Sequence, residues 1–216
     1  MIPVMIAPIL TGPDLLYRML SSIDHPVGHL VVIDNGRCVG PRLLQDVQHV
    51  ERVTLLPMPS NLGVATSWNL GIKCTPFAPW WLICNFDIVW PEGSLAAWAG
   101  DDRRGSLSLS AGAPPWCAFS IGEDVVGTVG LFDEALHPAY FEDNDMERRV
   151  HHAGLPVVKT GIAVHHDNSS TLRLGYRDKN QATFTSNHRY YSRKASMEDY
   201  SAGEWRLQTR RRQSWD

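Results

Sequence analysis

An amide and a carboxylate stand two residues apart at the end of a long apolar run. The run extends from Trp80 to Trp90, and the two polar side chains are Asn85 and Asp87. A continuous apolar run of this length predicts a strand buried on both faces, with Asp87 emerging where the strand ends. Carboxylates at such strand ends commonly hold a metal ion and, through it, a diphosphate. A turn that merely closes the strand is the alternative interpretation.

A second apolar strand also ends in an acid, within the segment Val31 to Gly36. Asp34 could accept hydrogen bonds from a nucleobase or a ribose at the end of this strand. The sequence Asp-Asn-Gly is equally favourable as a simple turn. Both interpretations stay open at this point.

A helix is predicted from Gly63 to Lys73, and polar residues stand before it and within it. Asn61 is placed to cap this helix, and Gly63 lets its first turn approach a ligand closely. Capping alone explains Asn61. It does not explain Asn69, which lies in the helix interior, where asparagine is a poor helix former.

Three acids crowd the start of another predicted helix, which runs from Glu142 to Ala153. They are Glu142, Asp143 and Asp145, and the helix dipole alone favours negative charge at that position. The functional interpretation is that one of them takes a proton from an incoming hydroxyl. Downstream, His165 and His166 end a further apolar stretch. A neutral imidazole there could complete the coordination of a divalent metal, although a lone histidine is more often structural.

Strands and helices alternate along the chain, which predicts an α/β sheet with ligands at the carboxyl ends of its strands. The segment Gly105 to Pro115, rich in Ser, Ala, Gly and Pro, is expected to be a long functional loop. Strands are predicted at Val4 to Ile9, His29 to Ile33, Val53 to Leu56, Trp80 to Cys84, Cys117 to Ile121 and Pro156 to Lys159, and a first helix at Pro13 to Ile23.

The composition predicts a soluble protein with one core. The chain has 216 residues, of which 44% are hydrophobic and 20% charged, which is ordinary for a globular domain. No apolar run is long enough to span a bilayer, and the N-terminus does not read as a signal peptide. The cysteines form no CxxC pair, so we expect neither a zinc site nor a disulfide framework, and a cytoplasmic location. They are Cys38, Cys74, Cys84 and Cys117.

Charge is distributed unevenly along the chain. Residues 1–171 carry 10 Lys and Arg against 18 Asp and Glu, a balance of −8, whereas residues 172–216 carry 10 against 5, a balance of +5. A solvated helix and tail would explain the basic segment, and a surface for an anionic partner is the alternative. Its cations alternate with aromatic residues, a mixture that suits phosphate backbones and unstacked bases. They include Arg173, Arg177, Lys179, Arg189, Arg193, Lys194, Arg206, Arg210, Arg211 and Arg212, with Tyr176, Tyr190, Tyr191, Trp205 and Trp215.

Taken together, these segments resemble, in order and spacing, the family-2 inverting glycosyltransferases of GT-A fold, and in particular small bacterial and phage members. The resemblance covers roughly residues 1–172. It is carried by Ala7-Pro8 at the end of the first strand, by Asp34, by the pattern NxGxAxxxN at Asn61, Gly63, Ala65 and Asn69, by Asn85-Phe86-Asp87 as a variant of DxD, by Gly130 to Glu134 followed by Glu142 to Asp145, and by Ala163-Val164-His165.

The resemblance implies a GT-A domain at 1–172, a mixed and mostly parallel sheet flanked by helices, with a helical segment at 173–216 packed on it. It implies inverting transfer from a nucleoside-diphosphate sugar with Mn²⁺ or Mg²⁺. The metal ligands would be Asp87 and His165, and the general base Asp143, with Asp145 as the competing candidate that we expect to orient the helix or contact Arg148 or Arg149. The donor would be bound by Pro8, Asp34, Asn61, Gly63, Asn69 and Asn85.

Other functions remain open at this stage. A sugar-phosphate nucleotidyltransferase would need a glycine-rich, arginine-containing loop after the first strand, and Ile9 to Asp14 has one glycine and no arginine. A catalytically inactive nucleotide-sugar-binding module would have the same fold. For the acceptor, the basic segment favours a hydroxymethylated pyrimidine in phage DNA, with a polysaccharide, a lipid-linked sugar or a protein hydroxyl as alternatives.

Overall fold

A seven-stranded sheet organises the protein, and the computed structural model describes residues 1–45, 47–167 and 177–202 of it. The strands follow the order β3-β2-β1-β4-β7-β6-β8, and a separate two-stranded ribbon pairs β5 with β9. Their bounds are β1 Ile2–Ile9, β2 Val27–Asp34, β3 Val53–Pro57, β4 Trp80–Cys84, β5 Ile88–Val89, β6 Leu107–Leu109, β7 Ala118–Gly122, β8 Val157–Lys159 and β9 His165–His166.

Four neighbouring strands run parallel, and this places their carboxyl ends at one edge of the sheet. β1 pairs in parallel with both β2 and β4, and β2 with β3. β7 runs antiparallel to β4 and to β6, and β6 pairs in parallel with β8. The predicted mixed, mostly parallel α/β sheet is therefore confirmed. Because β7 is antiparallel, its amino end reaches the same edge, where Ala118 lies opposite Cys84.

Helices cover both faces of the sheet and bury two apolar clusters against it. Alternation along β1 sends Met5 and Ala7 to one cluster and Val4 and Ile6 to the other. β4 is buried along its whole length, as its continuous apolar run predicts. The helices are α1 Pro13–Ser21, α2 Val64–Cys74, α3 Ser94–Ala99, α4 Glu123–Val129, α5 Glu142–His152 and α6 Arg177–Ser196. Within the described part of the chain, no helix is long and apolar enough to cross a membrane.

The predicted strands and helices are present with shifts of a few residues at their ends, and the short elements are those that the sequence did not reveal. α3, α4, β6 and the ribbon of β5 and β9 were not expected. The segment Gly105 to Pro115 is not one loop, since β6 occupies its middle as Leu107–Leu109. Three residues suffice for a strand there because they pair on both sides, with β7 and with β8.

The end of β2 packs so closely on the end of β1 that only glycine fits at position 36. Asn35 N–H donates to the Ile9 carbonyl at 2.8 Å, and this contact brings Gly36 against Leu10. A Cβ on Gly36 would lie 1.8 Å from the Leu10 carbonyl oxygen, which is a backbone atom. The Asp-Asn-Gly sequence therefore serves tight packing between two strand ends as well as a turn.

We expect Gly36→Ala to lower the free energy of unfolding by at least about 2 kcal/mol, because the backbone of either Gly36 or Leu10 must move. Gly40→Ala is the matched control, since a Cβ at Gly40 meets no atom within 4 Å. Urea denaturation of both variants measures the difference. Equal stability of the two variants would contradict this account of the packing.

Candidate active site

The β5–β9 ribbon brings a carboxylate and an imidazole together at the carboxyl end of β4. Ile88 lies opposite His166 in this ribbon, and Asp167 N–H donates to the Asp87 carbonyl at 3.1 Å. As a result, His166 Nε2 lies 3.1 Å from Asp87 Oδ1, and both side chains are buried. Residues 79 apart in the sequence thus form one polar pair.

The imidazole beside Asp87 belongs to His166 and not to His165, the residue that the sequence pattern favoured as a metal ligand. Adjacent residues of a strand point to opposite faces, so only one of the two histidines can face Asp87. The register of the ribbon selects His166, while His165 lies opposite Val89 and is exposed. The structure thus places His166, and not His165, beside Asp87, and the assignment of a metal ligand stays a prediction.

The Asp87–His166 pair has the chemistry of a cation site. His166 Nδ1 lies 3.1 Å from the Ala113 carbonyl, so Nδ1 carries a proton, and a neutral ring turns the lone pair of Nε2 toward Asp87. Two electron-rich atoms at this distance require a proton or a metal ion between them. Two ligands at right angles, each about 2.1 Å from one ion, are about 3.0 Å apart. A carbonyl that fixes the second ring nitrogen is typical of metal-binding histidine.

Asn85 completes the polar face of this site. Its Nδ2 lies 3.3 Å from His166 Nε2, and its backbone N–H donates to the Cys117 carbonyl at 2.8 Å. Rotation of the amide would bring its oxygen toward the same point. No group of three or more His, Cys, Asp or Glu side chains suited to a metal occurs among the residues that the structure describes. The residues that could hold a cation at this point are therefore Asp87 and His166, with Asn85 beside them.

The pKa of His166 reflects the same electrostatics. Burial acts to lower this pKa, but the hydrogen bond to Asp87 and its negative charge, together with the Ala113 carbonyl and the Asp167 charge, outweigh burial and raise the pKa above its ordinary value. When it is protonated, the ring compensates the Asp87 charge. A divalent cation would have to displace that proton.

Asp34 lies at the end of β2 as predicted, but its carboxylate is engaged by the following loop. Oδ1 accepts from the N–H groups of Gly36 and Cys38 at 3.2 and 3.0 Å, and Oδ2 from that of Val39 at 2.8 Å. The residue is 1% exposed. Recognition of a nucleobase by Asp34 would use lone pairs that these three bonds leave, or would require the loop to move.

Asn35, which the sequence analysis treated only as part of a turn, connects β2 to α2. Its amide Nδ2 donates to Ser67 Oγ at 2.8 Å, and its Oδ1 accepts from the N–H of Leu62 at 3.0 Å. Asn61 Oδ1 accepts from the N–H of Gly63 at 2.9 Å, and α2 begins at Val64 without a side-chain cap. The capping role expected for Asn61 is therefore replaced by a turn that precedes the helix.

The close approach at Gly63 is made by the protein itself. Gly63 has φ +80°, and a Cβ there would lie 2.8 Å from both His137 Cδ2 and the Pro138 carbonyl oxygen. The N–H of Val64 donates to the same carbonyl at 2.7 Å. Glycine is thus required where the start of α2 meets the segment that leads to α5. Pro8, a further predicted donor-binding residue, lies half-buried in β1 opposite Ile33.

Asn69 in the interior of α2 holds the loop that follows α4. Its Oδ1 accepts from the N–H of Phe132 at 2.9 Å, and its Nδ2 donates to the Phe132 carbonyl and to Glu134 Oε1, each at 2.9 Å. The side chain is 1% exposed. These bonds explain why asparagine occurs in the helix interior despite its poor helix propensity. They also fix the position of Asp133 between Phe132 and Glu134.

Asp143, the predicted base, lies in the first turn of α5 and is half-buried. The pKa of Asp143 is raised by burial, with a smaller contribution from the Glu147 charge, and this outweighs the hydrogen bond that its Oδ1 accepts from Asn144 N–H at 2.8 Å. The neighbouring Glu142 is fully buried, and burial together with the Asp143 charge raises the pKa of Glu142 to about 8. Two adjacent acids thus share a site in which ionisation is costly.

Asp145, the competing base candidate, is committed to ion pairs. It is 0% exposed; its Oδ2 accepts from Arg149 Nε at 2.7 Å, and its Oδ1 lies 3.7 Å from Arg148 Nη2. These are the contacts with Arg148 or Arg149 that the sequence analysis expected. The Arg149 guanidinium also donates hydrogen bonds to the carbonyls of Val129 and Leu131, at 2.7 and 2.9 Å. Arg149, which Asp145 holds, therefore anchors α5 to the end of α4 and to the loop after it.

Lys194 is not part of a basic surface, contrary to its place among the predicted cations. It is 3% exposed, and its Nζ lies 2.6 Å from Asp133 Oδ2 and 3.0 Å from Asp145 Oδ1. Tyr190 Oη also donates to Asp133 Oδ2, at 3.0 Å. Arg189 and Arg193 are exposed on the same helix. The predicted cations and aromatic residues at 173–176 and 203–216, and the side chains of Arg177 and Lys179, lie outside the described residues.

No protein-family model matches the sequence, and no curated protein matches it. Solved structures do. A mannosyltransferase from Pyrobaculum calidifontis, solved with GDP-Man and Mn²⁺, superimposes with a TM-score of 0.58 at 16% identity over 72% of this chain and 53% of that chain. GalNAc-T7 with UDP, GalNAc and Mn²⁺ gives a TM-score of 0.60 at 10% identity over 76% and 43%. S. aureus TarS 1-349 gives 0.58 at 15% identity over 89% and 73%.

The fold is that of the GT-A glycosyltransferases. The matched region covers about half the length of the first two chains. In this GT-A fold the Asp87–His166 pair lies at the carboxyl edge of the parallel strands, which is where open α/β sheets bind their ligands.

We expect Glu142→Gln to flatten the dependence of stability on pH. The pKa of Glu142 is about 8 when folded and near 4.5 in the unfolded chain, so between these values the folded state binds more protons and the free energy of unfolding falls as the pH rises. Glutamine does not titrate, so the variant lacks this decrease in the free energy of unfolding. Urea denaturation at about pH 5 and about pH 8 measures it, with the exposed Glu51→Gln as control. An unchanged slope in Glu142→Gln would contradict the raised pKa.

Proposed function

We propose that the protein is a metal-dependent glycosyltransferase that moves a sugar from a nucleoside-diphosphate sugar to an acceptor hydroxyl with inversion. The observation that carries this proposal is the convergence of Asp87 and His166 at 3.1 Å, at the end of β4. Proteins of the same fold solved with GDP-Man and Mn²⁺, and with UDP, GalNAc and Mn²⁺, support it.

Asp87 and His166 would hold the ion, Mn²⁺ or Mg²⁺, with Asn85 beside them. When bound, a divalent ion supplies positive charge that stabilises the departing diphosphate, an effect typically worth several kcal/mol. We further propose that the donor lies along the edge formed by Pro8, Asp34, Asn61, Gly63 and Asn85. Asn69 would contribute indirectly, because its hydrogen bonds fix the loop around Asp133.

Asp143 would act as the general base. The acceptor oxygen forms a bond to the anomeric carbon while the bond from that carbon to the diphosphate oxygen breaks, and the hydroxyl proton passes to the Asp143 carboxylate. Attack from the face opposite the diphosphate inverts the anomeric centre. The raised pKa of Asp143, caused mainly by burial, makes its carboxylate a stronger base than an exposed one. The diphosphate leaves without needing a proton, so one base is sufficient.

For the acceptor, we propose a hydroxymethylated pyrimidine in DNA. Arg189 and Arg193 are exposed on α6, and the rings of Phe184 and Tyr190 on the same helix are 40% and 39% exposed. Cations beside exposed aromatic rings are the combination that binds phosphates and stacks on bases. The loss of Lys194 to internal ion pairs leaves fewer cations for this surface than the sequence suggested.

Histidine variants test the metal site. We expect His166→Ala to weaken Mn²⁺ binding at least about 10-fold and Asp87→Ala to weaken it further, because Asp87 also contributes the negative charge. His165→Ala, the adjacent exposed histidine, is the matched control and should bind Mn²⁺ as the wild type does. Isothermal titration with Mn²⁺ in the presence of UDP or GDP measures all three. A larger loss in His165→Ala than in His166→Ala would contradict this assignment and favour His165 as the ligand.

Asp143→Asn tests the base. The variant should retain Mn²⁺ and nucleotide binding while its rate of sugar transfer falls at least about 100-fold, since asparagine cannot accept the proton. The rate is followed by release of the nucleoside diphosphate from a panel of nucleotide sugars. Asp145→Asn should instead lower thermal stability, because Arg149 would lose its buried partner. A folded Asp145→Asn that is less active than Asp143→Asn would move the assignment to Asp145.

Salt dependence tests the DNA acceptor. Each phosphate contact contributes about −0.9 to the log-log slope of affinity against salt, so Arg189→Ala with Arg193→Ala should flatten the slope by about 2 units. Fluorescence anisotropy of a duplex containing hydroxymethylcytosine, between about 50 and 200 mM salt, measures it. Lys159→Ala, an exposed cation on β8, is the control. If such DNA takes up no sugar from any donor while a small glycan does, the DNA proposal is wrong.

A further inference from the structure

One face of α6 grips the segment that leads into Asp143. Asn187, Tyr191 and Lys194 follow one another at intervals of four and three residues, a spacing that places them on the same side of the helix. Asn187 and Lys194 are 4% and 3% exposed although both are polar. We call these three residues the gripping face of α6.

The segment that the gripping face holds has an unfavourable backbone conformation. Tyr140 and Phe141 have φ of 82° and 74°, in the left-handed region that residues with a Cβ rarely adopt. Phe141 is also the N-cap residue that precedes α5, and it provides no side-chain cap. Contacts from elsewhere must therefore stabilise the direction in which α5 starts, and with it the direction of the Asp143 side chain two residues later.

Asn187 and Tyr191 provide these contacts. Asn187 Nδ2 donates to the Ala139 carbonyl at 2.8 Å and lies 3.4 Å from the Tyr140 carbonyl, so one amide holds two successive peptide groups of the turn. The Tyr191 ring stacks on Phe141, with ring centroids 5.6 Å apart and planes 19° apart. Both left-handed residues are thus held from the same helix.

Lys194 fixes the two acids on either side of this turn in the sequence. Its Nζ lies 2.6 Å from Asp133 Oδ2 and 3.0 Å from Asp145 Oδ1, and it also donates to the Ser201 carbonyl at 2.7 Å. Asp145 is in the first turn of α5 with Asp143. One buried cation therefore ties the first turn of α5 to the loop that Asn69 holds.

We propose that the gripping face of α6 positions the Asp143 carboxylate for proton removal, with Asn187 as the central positioning residue; this inference rests on the proposed role of Asp143. Asn187 acts through the turn at Ala139 to Phe141 and does not itself touch the reacting atoms. The Asp143 carboxylate is therefore positioned by a helix that begins 34 residues after it in the sequence.

The experiment uses hydrolysis of a nucleotide sugar, in which water takes the place of the acceptor hydroxyl and loses its proton in the same way. Asn187→Asp keeps the shape of the side chain but turns an acceptor toward two carbonyl oxygens. We expect its kcat to fall at least about 10-fold, while the Kd values for Mn²⁺ and for UDP or GDP stay within about 2-fold of wild type. Ser192→Ala, an exposed position on α6, is the control and should not change kcat.

A double-mutant cycle separates positioning from general support of the fold. If Asn187 acts through Asp143, adding Asn187→Asp to Asp143→Asn should lower the residual kcat by less than about 2-fold. Losses that multiply, or an Asn187→Asp protein with wild-type kcat, would overturn the inference. Should Asn187→Asp fail to fold by circular dichroism, Tyr191→Leu takes its place in the same cycle with the same expected outcome. Wild-type activity in Asp143→Asn itself would instead refute the proposed base, and this inference with it.

Discussion

The antiparallel pairing of β5 with β9 is the contact on which the candidate site depends. Two residues on each side are enough to bring His166 against Asp87, because the register of a strand pair decides which side chains face one another. A shift by one residue would present His165 to the carboxylate and turn His166 away. The Asp87–His166 pair is thus a consequence of strand register, and the attraction between the two side chains in turn favours that register.

The acidic region at the start of α5 depends on the balance of buried charge. Asp133 and Asp145 are paired with Lys194 and Arg149, whereas Glu142 and Asp143 have no such cation among their contacts in the described chain. Burial therefore raises the pKa of both Glu142 and Asp143. Burial acts to raise the pKa of Asp133, but the hydrogen bonds from Lys194, Ala135 and Tyr190 together with the Lys194 charge outweigh it, and this pKa falls below its ordinary value. Acids within one small region thus divide into structural anions and potential proton acceptors according to whether a cation reaches them.

Buried polar residues and one glycine connect the end of β2, the start of α2 and the segments between α4 and α5. Asn35 connects the end of β2 to the start of α2, Gly63 allows α2 to contact Pro138, and Asn69 binds both backbone groups of Phe132. The sequence had suggested Gly63 and Asn69 as ligand-binding candidates, and Asn35 is next to a third candidate, Asp34. A buried backbone N–H or C=O group needs a hydrogen-bond partner, just as a polar ligand does. The same types of polar residue can therefore bind either one.

The sequence by itself determined the α/β architecture, because continuous apolar runs such as Trp80 to Cys84 and the helical periodicity around Trp68 and Ile72 are local signals. It also located Asp87 and Asp143 at the ends of such elements. Only the tertiary structure decided that His166 and not His165 faces Asp87, that Lys194 is buried between Asp133 and Asp145, and that α6 holds the turn before Asp143. Those outcomes depend on strand register and on contacts between residues far apart in the chain, which periodicity within a single segment does not encode.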